Sequence, residues 1–142
     1  NTLEQLIIFL QNKKIKVNLV GSSLGGYYSI YLANKFNIKT VLINPAITPF
    51  KTLEKLGTTL NYYDMSTFEV TQEHLTFLKK IEVQNITNQK NFMIFLQTAD
   101  DLLNYNDAIN KLPNSNLVVE EGGSHSYDGI HRHLKQIQEF FD

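Results

Sequence analysis

Four short runs of apolar and β-branched residues alternate along the chain with segments of helical periodicity. These runs are Lys16–Val20, Thr40–Asn44, Asn91–Gln97 and Asn116–Glu120. Short apolar strands separated by amphipathic helices predict a parallel sheet with helices on both faces. In such sheets, functional sites form where the strands end. The pattern therefore predicts an α/β fold, with any site in the segments that directly follow the strands.

The helical segments complete the predicted order of elements. They are a helix that begins with the capping-box pair Thr2 and Gln5, then Gly26–Phe36, Gln72–Glu82, Asp107–Leu112 and Gly129–Phe141. The last helix should carry apolar residues along one face, namely Ile130, Leu134, Ile137 and Phe141. Residues 1–142 then form a single domain with a less regular, cap-like region over about 46–91.

Composition excludes several classes of protein. The chain has 142 residues, 42% apolar and 19% charged, which is typical of a soluble globular domain. Its net charge is −1 and its basic residues are scattered, so we expect neither nucleic acid nor a membrane as a partner. The absence of cysteine and of a basic N-terminal segment favours a cytoplasmic location without a signal peptide.

A glycine–serine motif follows the first predicted strand. Gly21–Gly25 reads G-S-S-L-G, and only Ser23 has glycine two residues away on both sides. This G-x-S-x-G pattern is typical of a sharp strand-to-helix turn that exposes the serine hydroxyl, with both glycines avoiding clashes. At a helix N-terminus, backbone N–H groups can stabilise developing negative charge. The alternative is a Gly-rich turn without chemistry.

An acid and a histidine follow the third and fourth predicted strands. Asp100 and Asp101 come after the third, and His125 comes after the fourth. The order Ser, Asp, His is that of the hydrolase fold with such a serine turn. His125 would accept the proton of Ser23 while the acid orients the imidazole. The residues alone leave open which aspartate serves, and whether these are ordinary loop residues.

The remaining histidines give no second site. His131 and His133 are two residues apart on a predicted helix, so they face different directions and are interpreted as surface or rim residues. His74 has no partner at a ligand spacing, and no H-E-x-x-H motif is present. We therefore predict no metal and no cofactor.

Four blocks of sequence together resemble the YqiA-like bacterial esterases of the α/β-hydrolase superfamily. They are GSSLGGYY, LINPAITPF, FLQTADDLLNY and EEGGSHSY, in the family's order and across nearly the whole chain. The resemblance implies an α/β-hydrolase fold and hydrolysis of carboxylic esters or thioesters through an acyl-serine intermediate. The implied partner is a small-molecule ester.

The resemblance also assigns roles to individual residues. The stretch Asp100–Tyr105 matches a family pattern D-E-V-L-D-Y that opens with the catalytic acid, which points to Asp100, with Asp101 in place of the usual glutamate. His125 matches the histidine of G-G-x-H-x-[FY]. The N–H of Leu24, which follows the nucleophile, would form part of the oxyanion hole.

The chain departs from the family at its start. Nothing matches the family's first strand or its loop like Y-L-H-G-F-N, which normally supplies the second oxyanion donor, and the chain begins at Asn1. The expectation is a fold that lacks its N-terminal strands. The first predicted strand would then be an exposed sheet edge, through which the chain self-associates or pairs with the missing piece.

Two further interpretations stay open. A catalytically silent interaction module would keep the fold without the chemistry, and an acyltransferase would use the same triad with an acceptor other than water. Aromatic residues of the cap-like region either line an acyl pocket or belong to the core, namely Tyr62, Tyr63, Phe68 and Phe77.

Overall fold

A computed structural model describes residues 2–56, 58–60 and 67–142 of the chain. Its α-helices are α1 (Thr2–Asn12), α2 (Leu24–Phe36), α3 (Pro49–Leu56), α4 (Gln72–Lys80), α5 (Tyr105–Lys111) and α6 (Leu134–Phe141). Its strands are β1 (Leu19–Ser22), β2 (Thr40–Ile43), β3 (Thr58–Leu60), β4 (Thr67–Glu69), β5 (Phe92–Gln97) and β6 (Asn116–Glu120). Short 3₁₀ helices cover Gln89–Asn91 and Ile130–His133.

The main sheet has the strand order β1-β2-β5-β6, and every pair in it is parallel. All six residues of β5 are buried, as expected for a central strand with helices on both faces. The α/β fold predicted from the alternation of strands and helices is therefore confirmed. The carboxyl ends of the strands lie along one edge, where Ser22 pairs with Ile43 and Gln97 with Glu120.

Alternate residues of the central strands face opposite layers of helices. Leu42 and Ile94 pack with α2 and α5 on one face. Val41 and Phe95 pack with Tyr127 and α6 on the other. Both layers are apolar, so burial on both faces fixes the sheet and with it the strand ends.

Two predicted boundaries differ from the structure. The strand predicted from Lys16 begins only at Leu19, because the partner strand β2 begins at Thr40, opposite Leu19. The last predicted helix is broken: Gly129 has φ +80°, a 3₁₀ turn follows, and α6 begins at Leu134. The tighter 3₁₀ turn changes the helical phase. Leu134 is consequently 60% exposed, whereas Ile130, Ile137 and Phe141 pack against the core, so the prediction that all four share one face was wrong for Leu134.

The region after β2 is more regular than the sequence predicted. Pro49, which lies in the region predicted to be less regular, is the first residue of α3, a position where its missing N–H costs nothing. A short antiparallel pair, β3 and β4, follows. Helix α4 begins at Gln72 as predicted, Thr71 is its N-cap, and His74 completes a capping box with it. Residues of α3 and α4 pack against Tyr27 of α2.

Exposed apolar side chains concentrate along α1 and β1. Strand β1 is an edge of the main sheet, and its Val20 is 59% exposed. On α1, Leu6 and Phe9 are exposed as well. The sequence predicted such an open edge. None of the helices in the described ranges has both the length and the hydropathy required to cross a membrane.

Candidate active site

Ser23 occupies the turn between β1 and α2 in a conformation that few non-glycine residues adopt. Its φ is 52° and its ψ is −123°. Backbone conformations of this kind cost on the order of 1–3 kcal/mol and persist only where the surroundings impose them. The strained serine of a sharp strand-to-helix turn, predicted from the G-x-S-x-G pattern, is present.

Backbone hydrogen bonds impose this conformation. The N–H of Ser23 donates to the carbonyl of Ile43 at the end of β2 (3.1 Å). Its own carbonyl accepts from the N–H groups of Ala46 (2.9 Å) and Gly26 (3.0 Å). Both sides of the serine are thus attached to the neighbouring strand and to the segment that follows it.

Two glycines allow the close approach that this turn needs. A Cβ atom on Gly21 would lie 2.3 Å from Ser29 Oγ and 2.5 Å from the carbonyl oxygen of Gly25. A Cβ on Gly26 would lie 2.6 Å from the Cβ of Pro45. A Cβ on Gly25, by contrast, would meet nothing within 4 Å in the described part of the chain outside its own helical turn. The predicted role of the flanking glycines is correct for Gly21 and wrong for Gly25, because Gly26 makes the second close contact.

The structure brings the predicted serine, histidine and aspartate together. His125 Nε2 lies 2.9 Å from Ser23 Oγ, and His125 Nδ1 lies 2.9 Å from Asp100 Oδ2. The side chain of Asp100 is 2% exposed and that of His125 is 23% exposed. The imidazole therefore bridges a buried carboxylate and the hydroxyl of the half-buried Ser23.

Asp100, and not Asp101, is the acid that contacts His125. Besides its contact with the imidazole, the Asp100 carboxylate accepts hydrogen bonds from the N–H groups of Leu102 and Leu103, both at 2.9 Å. These bonds fix the orientation of the carboxylate toward the histidine. Asp101 is exposed. Asp100 thus caps its own turn and orients the ring at the same time.

Leu24 is the first residue of α2, directly after Ser23. The first N–H groups of a helix have no acceptor within it, and the helix dipole favours negative charge there. The N–H of Leu24 consequently belongs to a terminus suited to an oxyanion formed at Ser23.

Sequence reasoning missed a polar cluster behind His125. It is centred on Glu120, whose carboxylate accepts from Gln97 Nε2 (3.0 Å) and Arg132 Nη2 (2.9 Å) and lies 2.8 Å from His133 Nε2. These hydrogen bonds, that from Gln97 first and then those from His133 and Arg132, lower the pKa of Glu120 to about 2. A polar residue at the end of an apolar strand was the available signal, since Gln97 and Glu120 end β5 and β6.

His133 differs from its predicted place at the surface or rim. Its side chain is largely buried, and its ring centroid lies 4.8 Å from that of Phe95. Tyr127, buried beside it, makes an edge contact with the same phenyl ring. Burial, followed by the charge of Glu120, raises the pKa of the Tyr127 hydroxyl to about 12. The polar cluster therefore rests on the apolar core.

The predicted acyl pocket can be followed only in part. Tyr62, Tyr63 and the side chain of Phe68 lie outside the described residues. Phe77 is exposed on α4, with its ring 6.4 Å from that of Tyr28. Among the residues that the structure describes, no group of three histidine or acidic side chains is placed to hold a metal ion.

A parallel sheet with a strained serine turn after one strand, and an acid and a histidine after two others, defines the α/β-hydrolase fold. Solved structures share it. A protein from Agrobacterium vitis S4 has a TM-score of 0.68 at 19% identity, covering 99% of this chain and 67% of that one. The esterase domain of a Rhodothermus marinus protein has a TM-score of 0.65 at 14% identity, covering 99% and 65%.

The chain belongs to the family UPF0227, described as an uncharacterised protein family, whose model matches residues 1–142. UPF0227 protein YcfP from two Escherichia coli strains is 27% identical over 124 residues, which is 86% of this chain. The chain spans 63% of the length of these curated relatives. The resemblance drawn from the four sequence blocks is thereby confirmed.

Proposed function

We propose that the chain carries the catalytic residues of a serine hydrolase that cleaves carboxylic esters or thioesters. The observation that carries this proposal is the continuous line of contacts from Ser23 Oγ through the His125 imidazole to the Asp100 carboxylate. Similarity in fold to an esterase domain from Rhodothermus marinus supports it.

In the proposed reaction, Ser23 Oγ attacks the acyl carbonyl carbon as its proton passes to His125 Nε2. The oxyanion of the tetrahedral intermediate accepts a hydrogen bond from the N–H of Leu24. When the intermediate collapses, the bond to the leaving group breaks, and the alcohol or thiol takes the proton from His125. A water molecule then attacks the acyl carbon as its proton passes to the same imidazole. The bond from the acyl carbon to Ser23 Oγ breaks, Oγ takes the proton back from His125, and the acid leaves.

The experiment that tests this proposal combines turnover with labelling. Neutral p-nitrophenyl esters suit the first assay. The segments at the carboxyl ends of the main-sheet strands contain no lysine or arginine to bind an anionic substrate, namely 21–34, 44–50, 98–110 and 121–131. A fluorophosphonate should label Ser23 of this chain. The Ser23→Ala variant should not be labelled, and its rate of hydrolysis should be at least about 10³-fold lower.

Ser22→Ala is the matched control, because Ser22 is an exposed neighbouring hydroxyl that lacks the flanking glycines. It should retain activity. If the parent chain shows no labelling and no turnover, the proposal is overturned and a silent interaction module is favoured. Ester transfer to an added alcohol in preference to water would identify an acyltransferase.

We also propose that the chain self-associates along β1. The support is that β1 is an edge strand of the main sheet among the described residues and that its Val20 side chain is exposed. Light scattering should report a mass above that of one chain. Val20→Lys, which places a charge on this edge, should restore the monomer. A monomeric parent chain at high concentration would contradict the proposal.

A further inference from the structure

The loop that carries His125 has a backbone that does not follow any regular element. It connects β6 to the 3₁₀ helix, and its φ angles are positive at Gly122 (83°), Gly123 (77°), Tyr127 (64°) and Gly129 (80°). Such a segment has no repeating ladder of its own hydrogen bonds. Two hydrogen bonds lie within the loop, from the N–H of Tyr127 to the carbonyl of Ser124 (3.1 Å) and from Ser124 Oγ to Asp128 Oδ1 (2.8 Å), and groups packed against the loop supply the rest of its support.

The side-chain amide of Asn44 is one of these groups. Asn44 follows β2 and is 2% exposed. Its Nδ2 donates to the backbone carbonyls of Ser124 (2.9 Å) and His125 (3.1 Å). Its Oδ1 accepts from the backbone N–H of Gln97 (3.1 Å). One buried amide thus connects the ends of two strands to the backbone of His125 itself.

The side-chain amide of Gln97, the last residue of β5, is a second such group. Gln97 is 3% exposed. Its Oε1 accepts from the backbone N–H groups of Ser124 (3.1 Å) and Asp128 (2.8 Å). Its Nε2 donates to the carbonyl of Asp128 (2.9 Å) and to the Glu120 carboxylate (3.0 Å). These four bonds use the full capacity of a primary amide, so its orientation is fixed.

The loop is shaped to receive this amide. A Cβ atom on Gly123 would lie 2.0 Å from Gln97 Oε1, so only glycine lets the two pack together. Glu120, which holds the other end of the amide, is itself bonded to Arg132. Buried amides satisfied in this way are costly to disturb, because each lost bond leaves a buried polar group unpaired.

We infer that Asn44 and Gln97 are positioning residues, which hold the backbone of the His125 loop so that the imidazole meets Ser23. This inference rests on the proposed function. Neither amide touches the reacting atoms: Asp100 orients the ring, and the two amides fix the chain that carries it. A misplacement of about 1 Å at a reacting group costs on the order of 10²-fold in rate.

Asn44→Asp tests the inference with almost no change in shape. It removes both hydrogens of Nδ2, so that a carboxylate faces the carbonyls of Ser124 and His125. We expect kcat for p-nitrophenyl esters and the rate of fluorophosphonate labelling to fall about 10²-fold, with KM changed less than about twofold.

The pH profile separates positioning from a general loss of structure. When protonated, the introduced carboxyl can donate one hydrogen bond again, and burial beside two carbonyls favours that form. The loss in kcat and labelling rate of Asn44→Asp relative to the parent chain should therefore become smaller as the pH falls from about 8 to about 5. A deficit that stays constant across this range would overturn the inference.

Asn116→Asp is the matched control. The Nδ2 of Asn116 also donates to two backbone carbonyls, those of Lys90 (3.3 Å) and Phe92 (3.0 Å), but at the opposite end of the sheet. Its labelling rate should equal that of the parent. Equal losses in Asn44→Asp and Asn116→Asp would overturn the inference, since the effect would then be a general one.

Amide hydrogen exchange keeps the two proposals distinguishable. The N–H groups of Ser124 and Asp128 should exchange faster in Asn44→Asp, while those of β5 stay protected. If the parent chain is not labelled at all, the proposed function fails, and this exchange measurement alone decides the loop inference. Normal labelling and exchange in Asn44→Asp would overturn the inference and leave the hydrolase proposal standing.

A variant that does not fold is also informative. Gln97→Met keeps the side-chain length and removes every amide bond, and it replaces Asn44→Asp if that variant cannot be purified folded. Failure of both variants to fold would overturn the inference, because the amides would then support the core as a whole.

Discussion

The turn that carries Ser23 and the loop that carries His125 both use unusual backbone conformations, but different forces hold them. The Ser23 turn is held by backbone hydrogen bonds within a close approach of strand and helix that Gly21 and Gly26 permit. The His125 loop is held by side chains that are distant in sequence, since Asn44 lies 81 positions away. Backbone hydrogen bonds under a steric requirement for glycine thus shape one segment, and buried side-chain amides shape the other.

This difference teaches how each segment should fail. The serine turn should be sensitive to an added methyl group and insensitive to the loss of a distant polar group. The histidine loop should be sensitive to both, because its Gly123 packs directly against the Gln97 amide.

The largest expected effect concerns the contact that orients His125. Asp100→Asn should lower kcat by about 10³–10⁴-fold, because an amide in place of the carboxylate no longer stabilises the imidazolium. Asp101→Asn, at the exposed neighbour, should change kcat little. Steady-state hydrolysis of a p-nitrophenyl ester measures both, and equal effects would contradict the assignment of Asp100.

The next effect tests the steric requirement of the serine turn. Gly21→Ala should lower the free energy of unfolding by about 1–3 kcal/mol, because its methyl group would overlap the carbonyl of Gly25. Gly25→Ala should instead be neutral or stabilise by about 0.5–1 kcal/mol, as expected for glycine in a helix. Urea denaturation compares the two. Similar losses in both would show that the close contact at Gly21 is not what holds the turn.

A smaller effect concerns the glycines of the histidine loop, whose two alanine variants should lose similar stability but differ in labelling rate. Gly122→Ala and Gly123→Ala both place a methyl group at positive φ, which costs about 1–2 kcal/mol. Only at Gly123 would the added Cβ also overlap Gln97, whereas at Gly122 it has open space among the described residues. Fluorophosphonate labelling should therefore slow more in Gly123→Ala. Equal rates would argue against the packing of Gly123 on the amide.

The smallest effect is a dependence of stability on acid. The folded state lowers the pKa of Glu120 from 4.5 to about 2, so its contribution is present above about pH 4.5 and is lost as pH falls toward 2. In Glu120→Gln, the free energy of unfolding should fall less steeply with decreasing pH in that window. Above the window, its dependence on pH should be unchanged. Thermal unfolding from about pH 6 to about pH 2 measures this. An unchanged acid limb would contradict the assigned shift.

The contrast between the two segments also explains how much the sequence could predict. The sheet and the Ser23 turn follow from local signals, namely apolar runs and a glycine pattern within five residues. His125 follows from its place after a strand, whereas the choice of Asp100 over Asp101 needed the family resemblance. The hydrogen bonds of Asn44, Gln97 and Glu120 were not predicted, because they join residues at the ends of different strands and no local pattern encodes them.

The same reasoning applies to the helices. Helix α3 was missed because Pro49 suggests a break as readily as a helix start. The helix from Gly129 was predicted as continuous because its apolar spacing does not reveal the 3₁₀ turn that exposes Leu134. Local propensity gave the element types, and tertiary packing set their boundaries.

The position of Asn44 directly before Pro45 has a consequence for chemical ageing. Asparagine deamidates mainly through a cyclic imide, which forms when the next backbone nitrogen attacks the side-chain carbonyl and loses its hydrogen. Proline has no hydrogen on that nitrogen. The Asn44 amide, which supports the His125 loop, is thus protected from spontaneous conversion to aspartate over the lifetime of the protein. That conversion would produce the Asn44→Asp variant, which is expected to impair the site.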